Sequence, residues 1–544
     1  MMRKISAIFA LLLALAMIAG CAGAPSATGT PAGATTATAP QTGVPQSAAP
    51  ETQEPPADPY EKELTYKAVV RTVQTTVPVS NNLFDEMIKE KLNMVWDTEY
   101  VTAEFEQKMR LQFATNDYPE VIVNIGTNLA NELALTGKLE PLDNHLDALP
   151  DYLAIWGDVD GGFDYIKEMN GMGDGHLYLQ ISKRPRKATE TWIYRMGTLS
   201  TIGITDMPNN VDGLVSLLYQ IKESFPDSYP LGTRRGNNPY NGFHLAYGFQ
   251  TERYIDPYTD ELVPYGAVTD GYREVMKLFR QFYADGIISK EFATMTDTQW
   301  YDNYTNGLHY VEYTSGIRAN GMNQYMANTF PDAGFEYSLE TVAADPQRGW
   351  LYNAEPPYFG TGTALASTLD EERMGRMLDF MNWIAGEEGS WFLSWGVEGI
   401  TYDMDASGEP VRSPEFYSQA NPASPAVDQQ LVYSQDVIPN RVMSAVISVS
   451  GDTNIRLSEA FSSNPNYRYF KTIPWTFEPD TQSEMNLLGS ALKEVQEEYM
   501  MLFIMGSSDP ANDAEWDKYL AAMERAGLAR WSEISQAYYD EYNK

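Results

Sequence analysis

From about residue 64 onward the apolar positions follow two alternating rhythms. Leu64 to Thr76 is a β-rich stretch carrying Tyr66, Ala68, Val69, Val70 and Val73. Asn81 to Leu92 then shows helical spacing, with Leu83, Phe84, Met87, Ile88 and Leu92 on one face. A second strand is predicted over Asn93 to Val101, and a helix over Ala103 to Ala114 with Phe105, Met109 and Phe113 in one stripe. Pro119 to Asn124 reads as a short buried strand, and Leu129 to Thr136 as a helix ended by Gly137. Such alternation predicts an α/β fold with a mostly parallel sheet and helices on its faces. Further amphipathic helices are predicted at Asn210 to Ser224, Tyr272 to Phe282 and Leu369 to Trp395, the last with Thr368 as N-cap. Met485 to Tyr542 is almost entirely helical by pattern, interrupted between Gly506 and Pro510.

The first 59 residues follow neither rhythm. Met1 to Lys4 is basic, Ile5 to Ile18 is apolar and small apart from Ser6, and Ala19-Gly20-Cys21 follows. A basic start, a short apolar run and small residues make a secretory signal, and the run is too short to span a bilayer. Residues 22 to about 59 are Ala, Thr, Pro, Gly, Ser and Gln with few charges and no aromatics. That composition cannot bury enough apolar surface to fold and predicts a flexible tether.

The chain has 544 residues, longer than the roughly 250–300 a single core supports, so more than one structural unit is expected. Acids outnumber bases 74 to 38, giving a net charge of −36. An acidic shell with scattered Lys and Arg disfavours binding to phosphate backbones, so nucleic acid is not an expected partner. Cys21 is the one cysteine, so disulfides, cysteine-based zinc sites and cysteine nucleophiles are excluded together. The chain has no phosphate-binding loop, no Gly-x-Gly-x-x-Gly after a strand, no His-Glu-x-x-His and no Gly-x-Ser-x-Gly elbow. Asp403 to Gly408 and Asp158 to Gly161 begin like calcium loops, but their twelfth positions are Pro414 and Met169 where a bidentate Glu is required. Turns account for both, and neither a metal nor a cofactor is expected. A pair of carboxylates suited to glycoside hydrolysis cannot be excluded among so many acids, although the sequence singles none out.

Several stretches together resemble the extracellular solute-binding proteins of ABC importers, in the large carbohydrate-type family and its long Gram-positive lipoprotein branch. Phe113 to Ile122, containing Asp117-Tyr118-Pro119-Glu120-Val121, is similar to that family's helix followed by Asp-x-Pro-Asp-Val. Gly137 to Asp143, Thr191 to Arg195 with Gly203, Ile204 and Pro208, Phe225 to Pro230, and Tyr283 to Ile288 continue the likeness in order. Trp395-Gly396-Val397-Glu398-Gly399-Ile400-Thr401-Tyr402 resembles the branch specifically, as do Phe503 to Gly506, Trp516, Asp517, Tyr519, Gly527, Leu528 and Gln536 to Tyr539. Ala-Gly before Cys21 resembles a lipobox, which implies cleavage before Cys21 and acylation of its thiol; an ordinary signal peptide with a chance cysteine is the alternative. The chain departs from the pattern at Glu223 to Pro226, where some relatives carry a calcium loop. It departs again at Arg195-Met196-Gly197, where the family has Arg-Lys-Asp.

The resemblance implies a two-lobed periplasmic-binding-protein-like fold of class II type, with a hinge, a ligand cleft between the lobes and a helical C-terminal extension. The implied division is 1–20 signal peptide, 21–59 lipidated Cys21 and tether, 62–185 plus 355–405 N-terminal lobe, and 186–354 plus 406–544 C-terminal lobe with the helical tail. It implies a monomeric receptor on the outer face of the membrane, serving ABC permease subunits. A sugar needs aromatic planes for its C–H faces and paired polar groups for its hydroxyls. Asn124, Thr127 and Asn128 follow a strand end, where ligands sit in open α/β sheets. Trp192, Tyr194 and Arg195 fall on a strand; Arg318 and Asn320 follow another; Trp350, Tyr352 and Tyr358 lie near a lobe crossover; Trp395 and Glu398 end a helix. Each is a candidate ligand contact, set against ordinary packing. The ligand expected is an oligosaccharide, with a peptide or another polar solute still open. A secreted carbohydrate-active enzyme and an adhesin or scaffold without a small ligand are the alternative classes.

Overall fold

The computed structural model describes residues 60–544 apart from 73–76, 173, 185–187, 234–238, 328–329, 415–427 and 433–436. The signal segment, Cys21 and the tether lie outside the described residues, and residues 59–544 form one compact unit. Its first lobe begins with β1 (Leu64–Arg71), α1 (Leu83–Leu92), β2 (Met94–Val101), α2 (Phe105–Ala114), β3 (Val121–Gly126), α3 (Thr127–Ala134), α4 (Gly162–Asn170) and β4 (Gln180–Lys183). The chain crosses to a second lobe for β5 (Glu190–Tyr194), α5 (Val211–Ser224), α6 (Asp270–Asp285), β6 (Val311–Ser315), α7 (Ile317–Met326) and β7 (Glu336–Tyr337). It returns with β8 (Tyr358–Leu365), α8 (Glu371–Ala385) and α9 (Glu387–Trp395). It ends in the second lobe with α10 (Thr453–Ser462), α11 (Pro479–Ile504), α12 (Asp513–Arg525) and α13 (Leu528–Tyr542).

The first sheet has the order β2-β1-β3-β8-β4. Strand β1 is parallel to β2, from Leu64 opposite Met94 to Arg71 opposite Val101, and parallel to β3. Strand β8 is antiparallel to both β3 and β4. Ala68, Val69 and Val70 are all buried because β1 is internal to a sheet covered on both faces, which is why the segment reads as a continuous apolar run. Helix α1 starts where the Asn82 side chain accepts from the Asp85 N–H and stops where Asn93 turns left-handed at φ 49°. In the second lobe β5 lies between β6 and β7, antiparallel to each.

Two large cores keep the lobes distinct. The first gathers Tyr66, Phe84, Trp96, Phe113, Ile181 and Phe380; the second gathers Trp192, Leu218, Tyr272, Phe279, Phe503 and Trp531. The C-terminal helices belong to the second core, and Gln496 Nε2 in α11 donates to Tyr272 Oη in α6 at 3.0 Å. Leu431, Val432, Val437 and Ile438 pack in the first core, so the chain remains with that lobe well beyond residue 405. The polar run near 403–409 looks like a change of lobe but is a hairpin between Tyr402–Met404 and Pro410–Arg412. Asp405 closes it by accepting from the N–H of Ser407 at 2.8 Å and of Glu409 at 2.9 Å.

Candidate ligand cleft between the lobes

The sheet register puts several chain ends on one edge of the first lobe. Thr361 of β8 lies opposite Gly126 of β3, and Tyr358 lies opposite Lys183 of β4. The carboxyl ends of β1, β3 and β4 and the amino end of β8 therefore share that edge. From it the chain crosses between β4 and β5 and returns between Tyr352 and Tyr358. In the second lobe Glu190, the first residue of β5, lies opposite Ser315, the last of β6, so α7 begins at the edge nearest the crossings. A further segment runs beside β4, where the Lys183 N–H donates to the Pro439 carbonyl at 2.9 Å. All crossings thus stand on the β8–β4 side of the sheet. The ends of β1 and β3 mark one flank, the front, and the crossings border a separate space, the rear.

The front flank has a floor of close-set backbone. A Cβ on Gly126 would meet the Gly360 carbonyl at 3.8 Å, whereas one on Gly360 would meet open space, so a ligand can approach main chain there. Asn124, at φ 63°, donates from Nδ2 to the Arg71 carbonyl at 3.1 Å and ties the ends of β3 and β1 together. Thr127 begins α3 and its hydroxyl lies 3.4 Å from Asn170 Oδ1; Asn128 beside it is exposed. In the second lobe, Arg318 in the first turn of α7 lies over the Trp300 ring at 5.1 Å and donates to Tyr301 Oη at 3.3 Å. Asn320 donates to Thr453 Oγ1 at 3.0 Å, linking α7 to α10. Ligands of open α/β sheets bind outside the carboxyl ends of the strands, which is this flank.

Charge is concentrated at the crossings themselves. Arg184 Nη1 pairs with Glu355 Oε1 at 2.5 Å, and its guanidinium lies 4.3 Å from the centre of the Phe359 ring. Glu190 accepts from Asn353 Nδ2 at 2.9 Å; burial pushes its carboxyl up, and the nearby Glu355 adds to the rise. The rear space is a cavity of 1060 Å³ whose lining includes Tyr165, Lys183, Tyr352, Asn440, Tyr469 and Tyr542. Nothing from the ends of β1 or β3 lines it. Among the described residues no group of three or more His, Cys, Asp or Glu stands close enough to hold a metal ion. Nor is any helix among them long and apolar enough to cross a membrane.

No model of a known protein family matches the chain. Lipoprotein LipO of Bacillus subtilis is 24% identical over 225 residues, covering 39% of this chain and 44% of that protein. The fructooligosaccharide ABC transporter substrate-binding protein FusA of Streptococcus pneumoniae is 24% identical over 214 residues, 35% of this chain and 38% of FusA. The chain thus spans less than half the length of these curated relatives. Solved structures match over far more. The alginate-binding protein AlgQ2, without calcium ion, superposes with a TM-score of 0.70 at 17% identity, over 89% of this chain and 99% of AlgQ2. FusA in complex with kestose gives 0.67 at 16% identity, over 88% of this chain and 99% of FusA.

The chain has the fold of the extracellular solute-binding proteins.

Within that solute-binding fold the sequence-chosen residues separate into three groups. Asn124, Thr127 and Asn128 lie at the carboxyl end of β3 in the first lobe, and Arg318 and Asn320 lie in the first turn of α7 at the crossing edge of the second. Trp350, Tyr352 and Tyr358 lie along the return segment. Trp350 is half-buried, stacks on Tyr467 and donates from Nε1 to the Asn209 carbonyl at 2.9 Å; Tyr352 lines the rear cavity; Tyr358 is buried with its ring 6.4 Å from that of Tyr165. The others pack into cores or beside them. Trp192 and Tyr194 are 0% exposed in the second core, Trp192 edge-on to Phe243 and Tyr313. Arg195 is buried, donating to the Tyr304 carbonyl at 2.8 Å and Thr198 Oγ1 at 2.9 Å. These three are packing residues: alternation along β5 makes one aromatic face, and α5 and α6 cover it. Trp395 is buried with Tyr402 and Ala445, under the Arg412 guanidinium at 4.6 Å, and Glu398 is exposed beside it. Asn353 closes the Trp350–Tyr352 stretch that the sequence places near a lobe crossover, whereas Arg184, Glu190 and Glu355 are not singled out by it. The signal that could have found them is their place just before β5 and just before β8, where the chain changes lobes.

Proposed function

We propose that the chain is a membrane-tethered receptor that captures an oligosaccharide between its lobes and delivers it to an ABC importer. The observation that carries this reading is the pair of separately cored lobes joined by crossings that leave from the strand ends of the first and enter at the β5–β6 edge of the second. A ligand touching both faces favours the closed arrangement by its differential affinity, and closure is the signal an importer can read. Asn124, Thr127 and Asn128 would contribute from the first lobe, and Arg318 and Asn320 from the second. The printed names of the similar proteins agree in class: FusA is a fructooligosaccharide-binding component, AlgQ2 binds alginate, and a further structural match from Bifidobacterium longum binds HMO. Acylated Cys21 would be the anchor, residues 22–59 the tether, and the receptor a monomer on the outer face of the membrane. The ligand leaves chemically as it entered, so no carboxylate pair is required.

A thermal-shift screen of residues 59–544 against oligosaccharides, with mass analysis of each sugar, tests the reading. A ligand that binds only the folded state raises the melting temperature by mass action. A rise with intact sugar is the expected outcome. A rise with cleaved sugar overturns the receptor in favour of a carbohydrate-active enzyme, and no rise with any saccharide overturns the carbohydrate assignment.

A further inference from the structure

The front flank differs in charge from the rest of the molecule. Charged residues make up 21% of the chain and its net charge is −36. Yet Val121 to Asn131 and Pro356 to Leu369, which supply the floor, contain none. From Tyr313 to Pro331, the stretch holding α7, the one charged residue is Arg318.

Arg318 is also incompletely used. Its seat is the Trp300 ring and the Tyr301 hydroxyl; among the described residues it makes no ion pair with a carboxylate, and its buried Nε–H has no hydrogen-bond partner. Elsewhere Arg110, Arg184, Arg273, Arg373 and Arg530 each hold a carboxylate. Carboxylates on the strands and crossings beside α7 are engaged. Glu312 accepts from Trp300 Nε1 at 3.0 Å and Tyr304 Oη at 2.5 Å, Glu190 from Asn353, and Glu355 pairs with Arg184. On the first lobe Arg71 ends β1 with its guanidinium over the Phe105 ring at 5.5 Å, and Glu104 and Glu106 flank that ring in the chain, so acids exceed bases by one at the β1 end and the positive field is that of the α7 side.

A guanidinium is always charged and carries five donors in a planar fork that matches a carboxylate. Seated on the Trp300 ring and the Tyr301 hydroxyl, the fork has no carboxylate of its own among the described residues, and a carboxylate from a ligand would supply charge-assisted bonds to its terminal nitrogens. A neutral sugar calls for acceptors as well as donors, and carboxylates usually serve. Lining segments without carboxylates, set in an acidic shell, focus a positive field on the site and leave the acceptors to the ligand. We propose that the cleft selects an acidic oligosaccharide carrying uronate carboxylates, with Arg318 pairing to one of them. The proposal rests on the receptor reading above.

The test is titration calorimetry on residues 59–544 with uronate oligosaccharides of several linkages and with the same compounds after reduction of their carboxyl groups, at low and at physiological ionic strength. The uronates are expected to bind at least about tenfold more tightly than their neutral counterparts, with the preference shrinking as salt rises. Arg318→Gln should weaken uronate binding by about 10- to 100-fold, and weaken binding of the neutral counterparts by a clearly smaller factor. Arg318→Lys, which keeps the charge but not the fork, should recover part of the loss. Melting curves of the unliganded variants check that each is folded. Equal affinity for the two series, or equal weakening of both by Arg318→Gln, overturns the acidic-ligand proposal and leaves a receptor for neutral sugars. Failure of every saccharide to bind overturns the receptor reading and this proposal with it.

Discussion

At the residue scale, burial fixes the charge state of two histidines. His309 is fully buried against the Tyr304 ring, with Asn303 Nδ2 3.4 Å from its Nε2, and burial pushes its pKa down to about 3. Burial lowers His244 to about 4 in the same way. Each is neutral in the folded state across a range where the unfolded chain, with a pKa of about 6.5, takes up a proton. The unfolded state binds more protons below about pH 6.5, so stability falls as pH drops toward 4, by about 1.4 kcal/mol per pH unit for each histidine. Urea unfolding between pH 7 and pH 4.5 should show this slope, and His309→Gln should flatten it by about one histidine's share. An unchanged slope would mean that the ring is not held neutral. The same scale explains the misplaced aromatics. Composition and alternation mark Trp192 and Tyr194 as one face of a strand, but whether a ligand or a helix covers that face depends on α5 and α6, which lie far along the chain.

At the element scale, most boundaries were legible because local chemistry sets them. Asn210 was read as the start of a helix, and its side chain accepts from the Gly213 N–H at 2.9 Å. The exception is instructive. The expected single helix from Leu369 to Trp395 is two, because Gly386 takes an extended conformation at φ −73°, ψ 176° that ends α8 and opens α9. A Cβ at Gly386 would stand 3.1 Å from Asp151 Oδ2, a contact no helical pattern encodes. The cap moves as well: Asp370 Oδ1, not Thr368, accepts from the Arg373 N–H at 2.9 Å. Asp370→Ala should therefore cost about 1 kcal/mol in urea unfolding, while Thr368→Ala should stay within about 0.5 kcal/mol. Equal effects would contradict the cap geometry.

At the scale of the whole molecule, the receptor reading requires the lobes to approach when ligand binds. Small-angle scattering of residues 59–544 should show a smaller radius of gyration with a saturating sugar that binds, and no change with one that does not. Binding without compaction would remove closure from the mechanism. The crossings are the parts to watch, because Arg184, Glu190, Asn353 and Glu355 form a partly buried polar cluster where the bend must occur.

Sequence by itself determined the alternation of strands and helices, the helical tail and the likeness to solute-binding proteins, because each rests on period, caps and short motifs within a few dozen residues. It also brought Asn124, Thr127 and Asn128 to the edge, since a residue just past a buried strand sits at that strand's carboxyl end in any such sheet. Only the tertiary structure decided which aromatic faces are buried, where the chain leaves the first lobe, and on which side of the sheet the crossings stand. Those depend on the strand order β2-β1-β3-β8-β4. That order pairs Gly126 with Thr361, more than two hundred residues away, and a local pattern holds no record of a contact at such separation.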